Sequence, residues 1–244
     1  MDWSLISIAG IGLLLAGVIK GATGLGYASC ALPLLVLSIG LRPAMAIVLV
    51  PAIATNVAVA VTTGHFSELV RRFAPLYLAM VPGLGLGLGI LLWIGSSSVA
   101  ASVLGGVIIG YAVLSLWGPR MVLSPQSARL LQIPTGFANG VLTGLTGSQV
   151  MPLFPYMMAL DLDPNRLVQA INLAVLFASI LLACGLLATS IMTSPLLMAS
   201  VVAIIPALLG VEIGRRLRPL IPPDKFRTCV LAILLIMGLL LMNR

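Results

Sequence analysis

Charge is what this sequence has least of. Only 8% of its 244 residues are Asp, Glu, Lys or Arg, where a soluble domain carries roughly 25%. That leaves too little polar surface to coat a water-soluble globule, so the chain reads as an integral membrane protein. There are 6 acidic residues and 1 histidine. His65 and the carboxylates fall in loops or at the ends of apolar runs. An intramembrane enzyme needs a general acid, a general base or a metal there, so no enzyme, metal or cofactor is expected. The cysteines Cys30, Cys184 and Cys229 stand far apart in apolar segments and read as buried thiols, not a redox or metal centre. Short alternating strands are missing, which excludes a barrel. The N-terminus has no basic lead and no clear cleavage site, so 5–18 reads as part of the mature chain. The net charge of +7 is spread over short loops. It reports membrane orientation and not nucleic-acid binding.

Apolar length is what the sequence has in plenty: it is 60% hydrophobic, with a mean hydropathy of +1.20. Runs at 4–19, 27–39, 44–62, 74–94 and 99–117 predict helices. The stretch 118–129, with Pro119, Arg120, Pro125 and Arg129, reads as a linker. The pattern then restarts at 130–142, 150–160, 167–188, 194–213 and 228–242. Gly17-x-x-Lys20-Gly21-x-Thr23-Gly24 matches Gly140-x-x-Thr143-Gly144-x-Thr146-Gly147, and Pro33/Pro155, Pro43/Pro164 and Pro82/Pro206 follow in step. The expected organisation is a membrane repeat over 1–118, a cytoplasmic linker over 119–129 and a second membrane repeat over 130–244.

Loop charge relates the repeats. In the first, the loop after 44–62 leads to Arg71 and Arg72, and the turn at 95–98 is neutral. In the second the order reverses: 189–193 is neutral, and Arg215, Arg216, Arg218, Lys225 and Arg227 follow 194–213. By the positive-inside rule the basic segments are cytoplasmic, the repeats are inverted and the N-terminus is outside. The expected fold is therefore an all-α polytopic membrane protein of two inverted repeats. Each has a broken or re-entrant helix pair plus three spanning helices. The first two segments of each repeat either both cross or form a re-entrant hairpin. Segments 27–39 and 150–160 fall short of the roughly 20 residues of a span, which favours the hairpin.

The glycine-rich breaks between those paired segments are the candidate site. Lys20 is the only charged residue between Asp2 and Arg42, and a charge at membrane depth is costly unless it has a function. Non-helical backbone there needs protein or a water-filled cavity to satisfy it. Helix starts at Tyr27 and Val150 would present unpaired N–H groups and the positive end of a helix dipole. Gly21, Gly24, Gly26, Gly144 and Gly147 let backbone approach a ligand. Thr23, Thr143, Thr146, Ser148 and Gln149 add polar partners, and Asn56 and Asn172 stand in apolar spans. The ligand that fits is a small anion. The bland alternatives are close helix packing for the glycines, threonines bonding their own helix carbonyls, and a Lys20 that snorkels to an interface. Glu212, beside Arg215 and Arg216, reads as an interfacial ion pair. Without another intramembrane carboxylate, the expectation is facilitated flux or coupling through ions held by backbone carbonyls.

Gly17-x-x-Lys20-Gly21-x-Thr23-Gly24-x-Gly26, with Pro33 and Arg42-Pro43-Ala44, resembles the first repeat of the sulfite exporter TauE/SafE family. Gly140-x-x-Thr143-Gly144-Leu145-Thr146-Gly147-Ser148-Gln149-x-x-Pro152 resembles its second, and the likeness runs from about Leu5 to Leu240. Ser148-Gln149 departs from the commoner glycine-glycine form, and position 20 carries other side chains in the family. The resemblance implies a multi-pass permease of the bacterial inner membrane. Its cargo would be a sulfur oxyanion or organosulfonate such as sulfite or sulfoacetate, moved by alternating access around a midplane site. The partners expected are that anion and the lipid bilayer, with homo-oligomerisation left open. The rival readings are a membrane scaffold or assembly protein and, behind it, an intramembrane enzyme.

Overall fold

The computed structural model describes residues 3–60, 64–95, 97–117, 122–220 and 223–243. The elements are α1 (Trp3–Thr23), α2 (Tyr27–Ile39), α3 (Leu41–Ala60), α4 (Phe66–Arg72), α5 (Ala74–Ile94), α6 (Ser97–Trp117) and α7 (Pro125–Leu130). They continue with α8 (Gln132–Thr146), α9 (Leu153–Met158), α10 (Pro164–Ala188), α11 (Ser194–Val202), α12 (Ile204–Leu217), a 3-10 turn (Arg218–Leu220) and α13 (Pro223–Met242). No strand occurs among the described residues. Spans Ala74–Ile94, Ser98–Trp117, Pro164–Ala188 and Ser194–Leu217 are long and apolar enough to cross a membrane. Leu78, Trp93, Met198 and Ile205 project from them unburied, as a lipid-facing belt does. The chain is a multi-pass helical membrane protein. Of the predicted loops, Thr63, Ser96, Pro119 and Arg120 lie outside the described residues, as do Met1, Asp2 and the side chains of Lys225 and Arg227.

Glycine seams join helices from opposite ends of the chain. In α1, a methyl group at Gly17 would run into Ala207 O, and one at Gly21 into Val211 O of α12. Gly210 and Gly214 of α12 abut Leu14 O and Val18 O in return, so the two helices run parallel with their backbones touching. α5 and α8 repeat the arrangement. Gly83 and Gly87 sit against Phe137 O and Val141 O, while Gly136, Gly140 and Gly144 sit against Leu76 O, Met80 O and Leu84 O. Gly85 and Gly89, one step round α5, face open space. Several other pairs follow the same exchange, beside contacts within each half such as α1 with α2 and α2 with α3. α3 packs on α10 and α6 on α13, α2 meets α13, and α9 meets α6. Sequence separation hid these pairs, since nothing local in a glycine names its distant partner.

Several helix limits differ from those predicted. The first apolar run continues as helix through Lys20 to Thr23, and 130–142 extends to Thr146. Glycine costs a helix only about 1 kcal/mol per residue, and here Gly21 and Gly144 gain close backbone contact across the seams. The short segment 150–160 is helical only over Leu153–Met158. The span at 194–213 is jointed at Ala203, where Pro206 has no N–H to give to Val202 O. In α3, Pro51 likewise frees Ile47 O, and the Ser200 hydroxyl of α11 donates to it at 2.9 Å. Cys30 is buried as expected, but Cys184 and Cys229 are exposed on the outer surface, where lipid replaces a protein partner.

Candidate functional site

The two breaks share one construction. Gly24 N–H donates to Lys20 O at 2.6 Å, and Gly147 N–H to Thr143 O at 2.8 Å. Gly24 (φ 81°) and Gly147 (φ 76°) then turn the chain through left-handed backbone, which favours glycine. Thr23 Oγ1 bonds Ile19 O at 2.8 Å and accepts from Leu25 N–H at 3.2 Å. Thr146 Oγ1 bonds Leu142 O at 2.7 Å and accepts from Ser148 N–H at 3.2 Å. Both threonines are thus occupied in closing their helix ends.

Lys20 does not snorkel. Its side chain lies inside the bundle, with the residue 3% exposed. Nζ donates to Oδ1 of Asn56 on α3 and, at 3.2 Å, to Oδ1 of Asn172 on α10. The Asn172 amide is fixed by its own donors: Nδ2 bonds Val168 O at 2.7 Å and Gly24 O at 3.2 Å. Its oxygen must then face Lys20. No carboxylate lies within ion-pair distance of Lys20 among the described residues. Glu68 pairs with His65 and Arg166, Asp163 with Arg166, and Glu212 with Arg215 and Arg216.

A small cavity of about 10 Å³ adjoins this cluster, bounded by Lys20, Gly26, Tyr27, Asn56, Gln149 and Asn172. It has room for about one water. The first turn of α2 forms one wall through Tyr27, Ala28 and Ser29, and Gly26 offers that turn no side-chain cap. The wall therefore carries the positive end of a helix dipole. Gln149 holds the opposite side, its Nε2 bonded to Ser179 Oγ at 3.0 Å. A second cavity, of about 330 Å³, reaches from Arg218 to the same place. Leu25, Gly26, Ser29 and Phe154 line both cavities and stand between them.

The structure thus brings Lys20, Gly26, Tyr27, Asn56, Gln149 and Asn172 together. Thr23 lines only the larger cavity. Gly21 and Gly144 lie in the seams, and Gly24 and Gly147 at the turns. Thr143 Oγ1 bonds Ser148 O at 3.3 Å, so Thr143, Thr146 and Ser148 brace the second break from within. Asn139 braces it too, with Nδ2 bonded at 3.1 Å to both Gln149 O and Met151 O. The sequence reading passed over Ser29, Phe154 and Ser179. Ser179 was within reach of it, two helical turns beyond Asn172 on one face of α10; Phe154 carried no such signal.

No curated protein and no solved structure matches this chain. A family model described as Sulfite exporter TauE/SafE matches residues 8–241, which takes in both breaks, both seams and every residue around the small cavity. The buried lysine and its two asparagines therefore stand within a transporter family's shared region, and the chain belongs to the sulfite exporter TauE/SafE family of membrane permeases.

Proposed function

We propose that this chain moves a small anion, a sulfur oxyanion or organosulfonate, across the bacterial inner membrane by alternating access. The substrate site is the small cavity at Lys20, and the observation that carries the reading is its chemistry. A buried amine, held by the oxygens of Asn56 and Asn172, and a helix N-terminus converge on one point, with Gln149 opposite and no carboxylate beside them among the described residues. Such a site stabilises an oxyanion and repels a cation. The cavity is too small for sulfite as it stands, so the geometry corresponds to an unloaded state. The larger cavity at Arg218 is the vestibule on the cytoplasmic side, and Leu25, Ser29 and Phe154 are the barrier that substrate must displace.

The two repeats, 1–118 and 130–244, are inverted, with the N-terminus outside and 119–129 as the cytoplasmic linker. The exchange of partners supports this, α1 with α12 against α8 with α5. So does the ion pair Arg166–Glu68 at 3.0 Å, which ties the start of α10 to the basic α4. Sulfite and methanesulfonate uptake into proteoliposomes tests the function. Saturable uptake lost in Lys20→Met is expected. Uptake equal to that of empty vesicles would refute it.

A further inference from the structure

The surroundings of Lys20 say more than that the site is cationic. An ammonium has three N–H donors; a neutral amine has two and a lone pair. Lys20 Nζ has two acceptors, Asn56 Oδ1 and Asn172 Oδ1. Its third position has no protein acceptor among the described residues and faces the small cavity, where the one water that fits can accept from an ammonium or donate to an amine. What bears on the charge is its surroundings: no carboxylate among the described residues pairs with Lys20, and the first turn of α2 adds the positive end of a dipole to that cavity, which opposes a second positive charge there. An ammonium without a counter-ion at this depth is also disfavoured by the loss of its hydration.

We infer that Lys20 is a neutral amine in the empty site and takes up a proton together with the anion, so that each anion crosses with a proton. This rests on the anion-site reading above and adds its energy coupling. The step balances simply. The Lys20 lone pair takes a proton from hydronium on the side from which the anion enters, giving an ammonium whose third N–H donates to the anion; on the other side the ammonium returns that proton to water as the anion leaves. No carboxylate relay is needed, which replaces the expectation of uncoupled flux or of ions held on backbone carbonyls. The neighbouring groups are consistent with this. α2 presents no Asp, Glu, His, Lys or Arg. α12 presents Glu212, Arg215 and Arg216, paired with one another, and Arg218 follows in the vestibule. On α3 and α10 the charged residues, Arg42 and Arg166, lie at the helix starts, away from Asn56 and Asn172.

The sequence makes the test direct, because it holds two lysines, Lys20 and Lys225. Protein labelled at lysine Cε and Nζ, in nanodiscs free of small anions, should give two NMR signals, assigned with Lys225→Arg. At mildly alkaline pH the Lys20 signal should be that of a neutral amine and the Lys225 signal that of an ammonium. Saturating methanesulfonate, which carries no proton of its own in this range, or sulfite should convert Lys20 to an ammonium. In proteoliposomes a one-unit pH gradient should support about a tenfold gradient of a monovalent anion. Lys20→Arg, permanently charged, should abolish that accumulation. An ammonium at Lys20 in the anion-free protein, with flux still lost in Lys20→Met, overturns the proton coupling and leaves the anion site standing. If neither anion is transported nor alters the Lys20 signal, both readings fall.

Discussion

The first and second glycine breaks have matching backbones and opposite surroundings. The turns at Gly24 and Gly147 match, and Thr23 and Thr146 each bond the carbonyl four residues back and accept from the N–H two residues on; Thr23 Oγ1 also lies 2.8 Å from Leu25 O, while Ser148 O is met by Thr143. Around the first break, 21–26 are partly open and border two cavities; around the second, 143–150 are all buried. The second break is braced by Thr143 and Asn139, where the first has Lys20 and Ala16. The same backbone shape thus stands in two surroundings. On the reading proposed above, the first break carries the chemistry and the second supports it, extending a single amide, Gln149, to the small cavity.

The comparison can be broken at the seams, where the largest effect is expected. Gly21→Ala places a methyl group 2.8 Å from Arg215 N, and Gly144→Ala places one 2.7 Å from Leu88 N. Each should cost about 3 kcal/mol or more of stability, read as a fall in melting temperature in detergent. A large loss for one and none for the other would show that the halves are not packed alike.

Exchange of the unequal residues comes next. Lys20→Met should reduce anion uptake about a hundredfold, the worth of a charge-assisted bond to the ligand, whereas Thr143→Val should change it by less than about threefold. Equal losses would end the distinction between working and supporting break. Asn172→Leu removes an acceptor from Lys20 and the bond to Gly24 O that anchors the first break, and about a tenfold loss of uptake is expected. Gln149→Leu should cost less, about threefold, since its partner Ser179 keeps a bond to Val175 O at 2.8 Å. The smallest effect sharpens the symmetry instead. Thr23→Val and Thr146→Val should each lower stability by about 1 kcal/mol, and by the same amount, in thermal or denaturant unfolding.

Lys20 and both breaks were legible in the sequence because glycine clusters and a lone charge are conspicuous in apolar chain. So were Asn56 and Asn172, polar residues inside spans. Two things were not legible. Helix continued through Lys20, Gly21, Ala22 and Thr23, because contact with α12 outweighs the weak local cost of glycine. The roles of Thr23 and Thr146 were also undetermined, since a hydroxyl that closes its own helix and one that binds a ligand carry the same letter. The wall between the cavities, with Phe154 brought to Leu25, depends on tertiary packing that no local pattern encodes.

The seams have a mechanical consequence. The helix that carries the first break is fused along its length to one from the far end of the chain, and the helix carrying the second break is fused to one from the near end. Each rigid piece is therefore a hybrid of both sequence halves, like two clasped hands. A transport movement cannot be one half of the chain swinging against the other. Whatever moves must carry α1 with α12, or α5 with α8, and Lys20 travels with the first of these pairs while its two asparagines sit on helices outside both.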